Sequence, residues 1–262
     1  MALTPEDVDR LRDDVLARGV GPTTAHHVHM TLSAALHDAF RRGLVPTVVT
    51  SAVRAPRRST TEMLTLTDEE IERLLAAVHG EPVESLYVVA SKLGLRQGEL
   101  LALRWKDVDL KGAGSLRIVG TVVRSDDDRA TIGPPKTNNG RRLLTPLPDS
   151  VRSALKATPR RGELVWPGAS GGIWDPRHFW QTWNIVRDKA GLERAPLRKG
   201  DDPIKPRFHD LRHTVATRLL DKGVAPQTVA LILGDTVQTV MNTYAHATAR
   251  GLDAAMAAVD AD

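Results

Sequence analysis

The chain has 262 residues, 41% of them hydrophobic and 26% charged, as in a globular protein with one large domain or two smaller ones. Its 36 Lys and Arg against 32 Asp and Glu give a net charge of only +4, so a nucleic-acid site would have to be a local patch. The absence of cysteine excludes disulfides and thiol nucleophiles. The sequence shows neither an apolar stretch long enough to span a membrane nor the pattern of a signal peptide. We therefore expect a cytoplasmic protein with no membrane partner.

The first sixty residues show helical periodicity followed by a polar, basic stretch. Apolar residues recur at helical spacing around 8–16 and again around 28–39, and Gly43 and Pro46 end the second pattern. The stretch Thr50–Thr61 has the composition of a linker, and Thr67 begins a new helix with a capping box. We therefore predict a helical segment with its linker over 1–58 and a second domain over 59–262.

The larger domain is predicted to be mainly α with a small antiparallel β-sheet. The β-branched stretch Ser115–Arg124 predicts a strand, and Arg142–Leu147 predicts its partner. Helical periodicity occupies most of the remaining sequence. The predicted helices cover residues 84–92, 98–106, 148–156, 176–190, 208–222, 226–233, 237–243 and 250–259.

Several common catalytic motifs are absent. The segment from Gly133 to Thr137 has prolines where a phosphate-binding loop needs glycine before its lysine, and no zinc-protease, serine-hydrolase or dinucleotide motif occurs. The adjacent residues Asp126–Asp128 alternate faces at a strand end, so they predict a solvated hairpin and not a magnesium site. We therefore expect no cofactor and no metal.

The remaining candidates are scattered cations and one tyrosine. Arg96 stands at the start of a helix, where backbone N–H groups and a guanidinium both favour a phosphate oxygen. His209 and Arg212 share one helix face and could clamp an anion. The alternatives are a surface ion pair between Arg96 and Glu99 and a helix that is merely basic at its start. Tyr244 taken alone predicts little.

Taken in order, these segments resemble the catalytic domain of the tyrosine recombinase (phage integrase) family. The resemblance covers about residues 64–246. The first sixty residues are similar to the second half of the family's helical core-binding domain, and from this resemblance we expect the first half to be missing. The matching segments are GLRQGELLALRWKDVD (Gly94–Asp109), the hairpin PPKTNNGRR around Lys136, HDLRHTVAT (His209–Thr217), and Leu233-Gly234 with TYAH ending at His246.

The resemblance implies a role for each matching residue. Tyr244 would attack the scissile phosphodiester and form a 3′-phosphotyrosyl link, while Arg96 and Arg212 grip the phosphate oxygens. Lys136 would protonate the leaving 5′-oxygen, and His209 would organise or deprotonate the attacking group. Glu99 would orient Arg96 or His209. Because the phosphotyrosine keeps the bond energy, the reaction needs neither metal nor ATP.

One position departs from the family pattern. The family usually has His or Trp two residues after the position of Leu233, where this chain has Asp235. An ionised carboxylate cannot donate a hydrogen bond to a phosphate and would repel it. Asp235 therefore points away and orients a neighbouring cation, or is protonated, or weakens catalysis.

The resemblance also implies DNA contacts and an assembly. The expected partners are double-stranded DNA attachment sites and an accessory directionality factor. We also expect the protein to be a monomer in solution and to form a homotetramer on synapsed DNA. The helix at 250–259 would dock on a neighbouring copy or on its own domain. Basic residues predicted to contact DNA are Arg187, Lys189, Arg198, Lys199, Lys205 and Arg207, with an ordinary solvated basic loop as the alternative.

The sequence therefore predicts a site-specific DNA recombinase or integrase acting through a 3′-phosphotyrosyl intermediate. A type IB topoisomerase-like enzyme, which relaxes DNA without exchanging strands, uses the same chemistry. A catalytically weakened DNA-binding protein, reading DNA with residues 225–234, is the alternative from another class. A metal-dependent nuclease built on Asp126–Asp128 is a more distant alternative.

Overall fold

The computed structural model describes residues 3–57, 63–125, 127–135, 138–196 and 202–244. The chain divides into two compact units, Met1–Glu62 and Met63–Asp262. Within the described ranges, no helix combines the length and apolar character that crossing a membrane requires. The assignment of residues 1–58 to a DNA-binding domain stays a prediction.

The first unit is a pair of helices, α1 (Pro5–Ala17) and α2 (Pro22–Arg41), followed by a short 3-10 turn at Val49–Ala52. The side chain of Thr4 caps α1, and a proline stands in the first turn of both helices. Proline is favoured there because the first N–H groups of a helix have no partner within it.

Within the described ranges the second unit contains eight α-helices and five strands, and most of them surround one apolar core. The core contains aromatic rings in edge contact, among them Phe179 and Phe208 with ring centroids 4.8 Å apart. The helices are α3 (Asp68–Ala77), α4 (Glu84–Leu93), α5 (Gln97–Leu101), α6 (Asp149–Ala157), α7 (Pro176–Lys189), α8 (Asp210–Asp221), α9 (Pro226–Leu233) and α10 (Val237–Thr243). The strands are β1 (Val108–Asp109), β2 (Ser115–Ile118), β3 (Thr121–Arg124), β4 (Ala130–Gly133) and β5 (Arg142–Leu144).

The single strand predicted over Ser115–Arg124 is wrong, because the chain changes sheets within it. Strand β2 pairs antiparallel with β1 and with β5, where Leu116 faces Leu144. Strand β3 pairs antiparallel with β4, which the sequence predicted as loop, and Val122 faces Ile132. The mainly α fold with small antiparallel sheets is confirmed.

The predicted helix 98–106 is also too long. α5 ends at Leu101, and Arg104 pairs as an isolated bridge with Leu164. This extended pairing replaces the helix, since tertiary hydrogen bonds outweigh a weak local propensity. The predicted helices from 148 to 243 form with ends shifted by at most two residues. The predicted helix 250–259 lies outside the described residues.

Candidate functional site

Glycine at the end of α4 lets three helix ends approach each other. Gly94 caps α4 in the left-handed conformation, with φ of 61°. A Cβ at this position would lie 2.9 Å from the Leu233 side chain and 3.2 Å from Val215. Glycine tolerates both the conformation and the approach. The chain therefore passes from α4 to Arg96, the residue before α5, in contact with α8 and the end of α9.

Arg212 in the first turn of α8 joins these ends. Its side chain is buried, and Nη1 donates to the carbonyl oxygens of Gly94, at 2.9 Å, and Leu233, at 2.8 Å. Both carbonyls close a helix, where the backbone dipole is negative and a cation is favourable. Nη2 remains for an anion and donates to the carboxylate of Asp235. Arg212 is thus both a structural link and an anion ligand.

Arg96 is oriented by a buried carboxylate. Its Nη1 donates to Glu99 Oε1 at 3.0 Å and to the carbonyl oxygen of Gly234 at 3.2 Å. Glu99 is only 2% exposed and is also held by Arg142, whose Nη2 lies 2.8 Å from Glu99 Oε2. Of the two partners that the sequence suggested for Glu99, the structure places Arg96 in contact with it.

Sequence reasoning missed Arg142, which connects β5 to the end of α9. Its Nε donates to the carbonyl oxygen of Ile232 at 2.8 Å. A Cβ at Gly234 would collide with the guanidinium of Arg142, and Gly234 has φ of 69°. Glycine is therefore required at this turn. No local pattern marks Arg142, because its partners lie far away along the chain.

The arginine pair around Glu99 makes the stability of the domain pH-dependent. Burial raises the pKa of Glu99, but the hydrogen bonds and charges of Arg142 and Arg96 outweigh this and leave the pKa lowered. A carboxylate with a lowered folded pKa stabilises the protein above its unfolded pKa, about 4.3, and loses this contribution as the pH falls through the folded value.

We expect Glu99→Gln to lower the free energy of unfolding at pH 7 by about 3 kcal/mol, because Arg142 keeps a buried charge without its counter-ion. Urea titrations between pH 3 and pH 7 would measure this difference, which should shrink toward pH 3. The control is Glu84→Gln, at an exposed contact with His79. An equal difference at both pH values would contradict the assignment.

Asp235 lies between the two arginines. One carboxylate oxygen accepts from Nη2 of Arg96, and the other accepts from Nη2 of Arg212. Of the three possibilities the sequence left open, the contact with a neighbouring cation is realised, and the carboxylate faces the arginines instead of pointing away. A phosphate could likewise place one oxygen on each of the two guanidinium groups. The side chain thus occupies the anion position.

Tyr244 follows α10 and is held in a second apolar cluster with residues of α8, α9 and α10. Its side chain is buried, and its hydroxyl lies 2.8 Å from Nδ1 of His213. Burial raises the pKa of Tyr244 to about 12, with Asp235 adding to the rise and Arg212 opposing it. The phenol is therefore protonated at neutral pH.

His209 is exposed, and its ring packs edge-on against His213 with centroids 4.8 Å apart. Desolvation by neighbouring protein and the charges of His213 and Arg212 lower the pKa of His209. Among the described residues, the histidine that contacts the tyrosine hydroxyl is His213. Sequence reasoning missed His213, although its place four residues after His209 on one helix is a usable signal.

The predicted general acid Lys136 lies outside the described residues. Asn139, three residues after Lys136 in the sequence, does reach the site. Its side chain donates to the carbonyl oxygen of Asp235 at 3.2 Å. A 3-10 turn at Asn138–Gly140 carries this contact. The carbonyl oxygen that accepts this hydrogen bond belongs to Asp235, whose carboxylate occupies the anion position between Arg96 and Arg212.

Intramolecular ion pairs occupy much of the predicted DNA-contact stretch. Arg187 pairs with Asp188, and Lys205 lies 3.4 Å from Glu193. Arg207 pairs with the fully buried Asp210 at 3.0 Å. Arg198 and Lys199 lie outside the described residues, and Lys189 is exposed. The contact of these residues with DNA stays a prediction.

No group of three or more potential metal ligands occurs within the described ranges. Asp128 is instead paired with Arg124 and with Arg177, 3.4 Å away. Asp126 lies outside the described residues.

The sequence model of the phage integrase family matches residues 65–250. A tyrosine recombinase XerC-like protein of Caldanaerobacter subterraneus subsp. tengcongensis is 30% identical over 71% of this chain and 51% of its own length. The prophage integrase IntR of Escherichia coli K12 is 28% identical over 81% of this chain and 54% of its own. The chain therefore spans about half the length of these curated relatives.

Solved structures show the same fold. The integrase of the Tn1549 transposon, in complex with transposon right end DNA, is similar with a TM-score of 0.81 and 21% identity, over 97% of this chain and 86% of that one. A lambda integrase dimer bound to a core site gives a TM-score of 0.63 and 20% identity, over 89% of this chain and 79% of that one.

Proposed function

Because the chain belongs to the phage integrase family, we propose that it cleaves and rejoins DNA at specific sites through a 3′-phosphotyrosyl intermediate at Tyr244. The observation that carries the proposal is the convergence of Arg96 and Arg212 on one anion position. The tyrosine close to these two cations is held in place by its packing. The resemblance predicted from the sequence motifs is confirmed by the family match.

The two arginines would bind the scissile phosphate in place of the Asp235 carboxylate. Their guanidinium groups are fixed by Glu99 and by helix-end carbonyls, so little reorganisation is needed when charge builds up on the phosphorus. The same positive charges oppose the rise in the pKa of Tyr244 that burial causes. Two fixed cations thus serve both binding and activation of the nucleophile.

Lys136 and His209 complete the proposed site. Lys136 would protonate the leaving 5′-oxygen, which is the role implied by the resemblance. The contact of Asn139 with Asp235 supports this role, because it ties the chain just after Lys136 to the anion position. His209, exposed beside His213, would reach a phosphate oxygen of bound DNA.

Covalent capture tests the proposal without knowledge of the target sequence. A library of nicked duplexes with randomised cores, labelled on the strand that keeps the new 3′ end, is incubated with the protein in EDTA. The proposal expects a labelled protein band on a denaturing gel, DNA attached at Tyr244 in peptide mapping, and one enriched target sequence. No band above a heat-inactivated control, or attachment at another residue, would overturn it. Activity in EDTA also separates the proposal from a metal-dependent nuclease.

Strand exchange separates a recombinase from a topoisomerase-like enzyme. Two different duplexes that carry the enriched sequence should yield hybrid products. Relaxation of a supercoiled plasmid without any hybrid would support the topoisomerase-like alternative.

Assembly and partners are part of the proposal. A lambda integrase tetramer bound to a Holliday junction has the same fold, with a TM-score of 0.62 and 19% identity over 89% of this chain and 64% of that one. We propose a tetramer on two synapsed attachment sites, formed from monomers and biased in direction by an accessory factor. Cross-linking with and without target DNA measures this assembly.

Asp235 favours a second candidate, a DNA-binding protein of weakened activity. A carboxylate 4 Å from a phosphate charge costs about 4 kcal/mol at an effective dielectric of 20. The arginines offset part of this, since both contact the carboxylate. If Asp235 must leave for phosphate to enter, its charge slows cleavage.

We therefore expect Asp235→Asn to raise the single-turnover cleavage rate about tenfold, or 1.4 kcal/mol. Asp235→His, which adds a hydrogen-bond donor, should cleave at least as fast as the native protein. The matched control is Asp221→Asn, an exposed acid at the end of α8. A tenfold decrease in both Asp235 variants would show instead that the carboxylate holds the arginines in their working positions.

A further inference from the structure

We propose that His213 accepts the phenol proton of Tyr244 when the tyrosine attacks the phosphate. The inference rests on the proposed recombinase function and deepens it. The resemblance gives His209 the role of organising or deprotonating the attacking group. Within the described part of the chain, however, the tyrosine hydroxyl has its hydrogen bond with His213, at 2.8 Å. This oxygen is the reacting atom, so His213 touches the chemistry directly.

Both partners of this hydrogen bond are held by packing. His213 follows Arg212 on α8, whose first turn is fixed by the carbonyl contacts of that arginine. The ring of Tyr244 packs in the apolar cluster of α8, α9 and α10, with Val240 and Leu233 among its members. The two rings lie 5.7 Å apart between centroids. The nucleophile and its proton acceptor are therefore preorganised before DNA binds.

Burial favours an imidazole of His213 that is neutral at neutral pH, and the charges around it are of both signs. The ring faces His209, Asp210, Arg207 and Arg212 from its own segment, and Asp235 and Tyr244 from the segment after α9. The negative charge of Asp210 acts to raise the pKa of His213, although its carboxylate also accepts from the backbone N–H and the guanidinium of Arg207. Burial lowers the pKa of His213.

A neutral imidazole leaves Nδ1 with a lone pair toward the phenol and carries its proton on Nε2. This tautomer is part of the proposal, since a protonated Nδ1 would instead donate to the phenol oxygen at the same distance. The environment thus supplies a base with the right atom in the right place.

The proton balance of the step is complete. The phenol proton of Tyr244 passes to Nδ1 of His213, the phenol oxygen forms a bond to phosphorus, and the bond from phosphorus to the 5′-oxygen breaks. The 5′-oxygen takes its proton from the general acid proposed at Lys136. In the rejoining step the 5′-hydroxyl attacks phosphorus and gives its proton back to Lys136. The bond from phosphorus to the phenol oxygen breaks, and His213 returns its proton to the departing tyrosine. No oxidant, metal or nucleotide enters.

The test compares His213→Gln with the native protein in single-turnover cleavage of the captured target. Glutamine can keep a hydrogen bond to the phenol but cannot take up its proton. We expect cleavage to slow about 100-fold, with DNA affinity and melting temperature close to native. The control is His178→Gln, an exposed histidine on α7, which should cleave at the native rate.

Two further measurements separate proton transfer from a structural role. The cleavage rate of the native protein should increase as the pH rises through the pKa of His213. This increase, the acid limb of the pH–rate profile, should be absent in His213→Gln. A substrate with sulfur at the 5′-bridging position has a leaving group that needs no acid. It should rescue a Lys136→Ala variant but not His213→Gln.

The outcomes distinguish the inference from the proposed function. Native protein that forms no covalent complex contradicts the proposed function itself. A covalent complex formed within threefold of the native rate by His213→Gln, or with the acid limb unchanged, overturns only the role of His213. Loss of the limb in His209→Gln and its retention in His213→Gln would assign the proton to His209. If His213→Gln melts early, His213→Asn at a permissive temperature gives the same comparison of pH profiles.

Discussion

Replacing Tyr244 with phenylalanine is expected to abolish the covalent protein–DNA complex while leaving DNA affinity nearly unchanged. Only the hydroxyl is lost, and the aromatic ring keeps its place in the apolar cluster of α8, α9 and α10. His213 loses its hydrogen-bond partner, a net cost of about 1 kcal/mol in stability. Denaturing gels with the captured target measure the complex, and mobility shifts measure the affinity.

The chain offers a closely matched control, because it contains only one other tyrosine. Tyr87 is fully buried in the main core, and its hydroxyl has no hydrogen-bond partner among the described residues. Tyr87→Phe therefore removes the same atom without breaking a described contact, and it should cleave at the native rate. Covalent capture that persists in Tyr244→Phe would move the nucleophile to another residue.

The second large effect is expected at Arg212. Arg212→Ala should slow cleavage at least about 100-fold, or 2.7 kcal/mol, because a cation aimed at the phosphate is lost. It should also lower the free energy of unfolding by about 3 kcal/mol, since buried carbonyls of Gly94 and Leu233 lose their donor. Arg212→Lys separates the two effects, because it keeps the charge but has no planar group that reaches the two carbonyls and the anion through separate nitrogens.

Single-turnover rates and urea denaturation curves check both parts of this expectation. Arg218→Ala is the control, an arginine of the same helix that pairs with the exposed Asp68 and should leave cleavage unchanged. A decrease in cleavage below tenfold in Arg212→Ala would place this residue outside the site. Normal stability together with lost cleavage in Arg212→Ala would show that the contacts of Arg212 with the two carbonyls contribute little to the free energy of unfolding.

Local patterns determined most of the helices and the order of the motifs along the chain. Helical periodicity and capping signals are properties of neighbouring residues, so α1, α2 and the helices from Asp149 to Thr243 formed where the sequence predicted them. The motifs around Arg96, Arg212 and Tyr244 are local in the same sense. Their order along the chain was enough to identify the family.

Tertiary structure decided the strand pairing and the contacts within the site. The stretch 115–124 has uniform β propensity, and only the partners available in space divide it between two sheets. The contacts of Arg142 with Glu99 and of Asp235 with both arginines join residues 23 to 139 positions apart. The hydrogen bond of His213 to Tyr244 spans 31 positions. Hydrogen bonds at such separations depend on how helices pack, which no local pattern encodes, so the sequence alone left the orientation of Asp235 open and passed over His213.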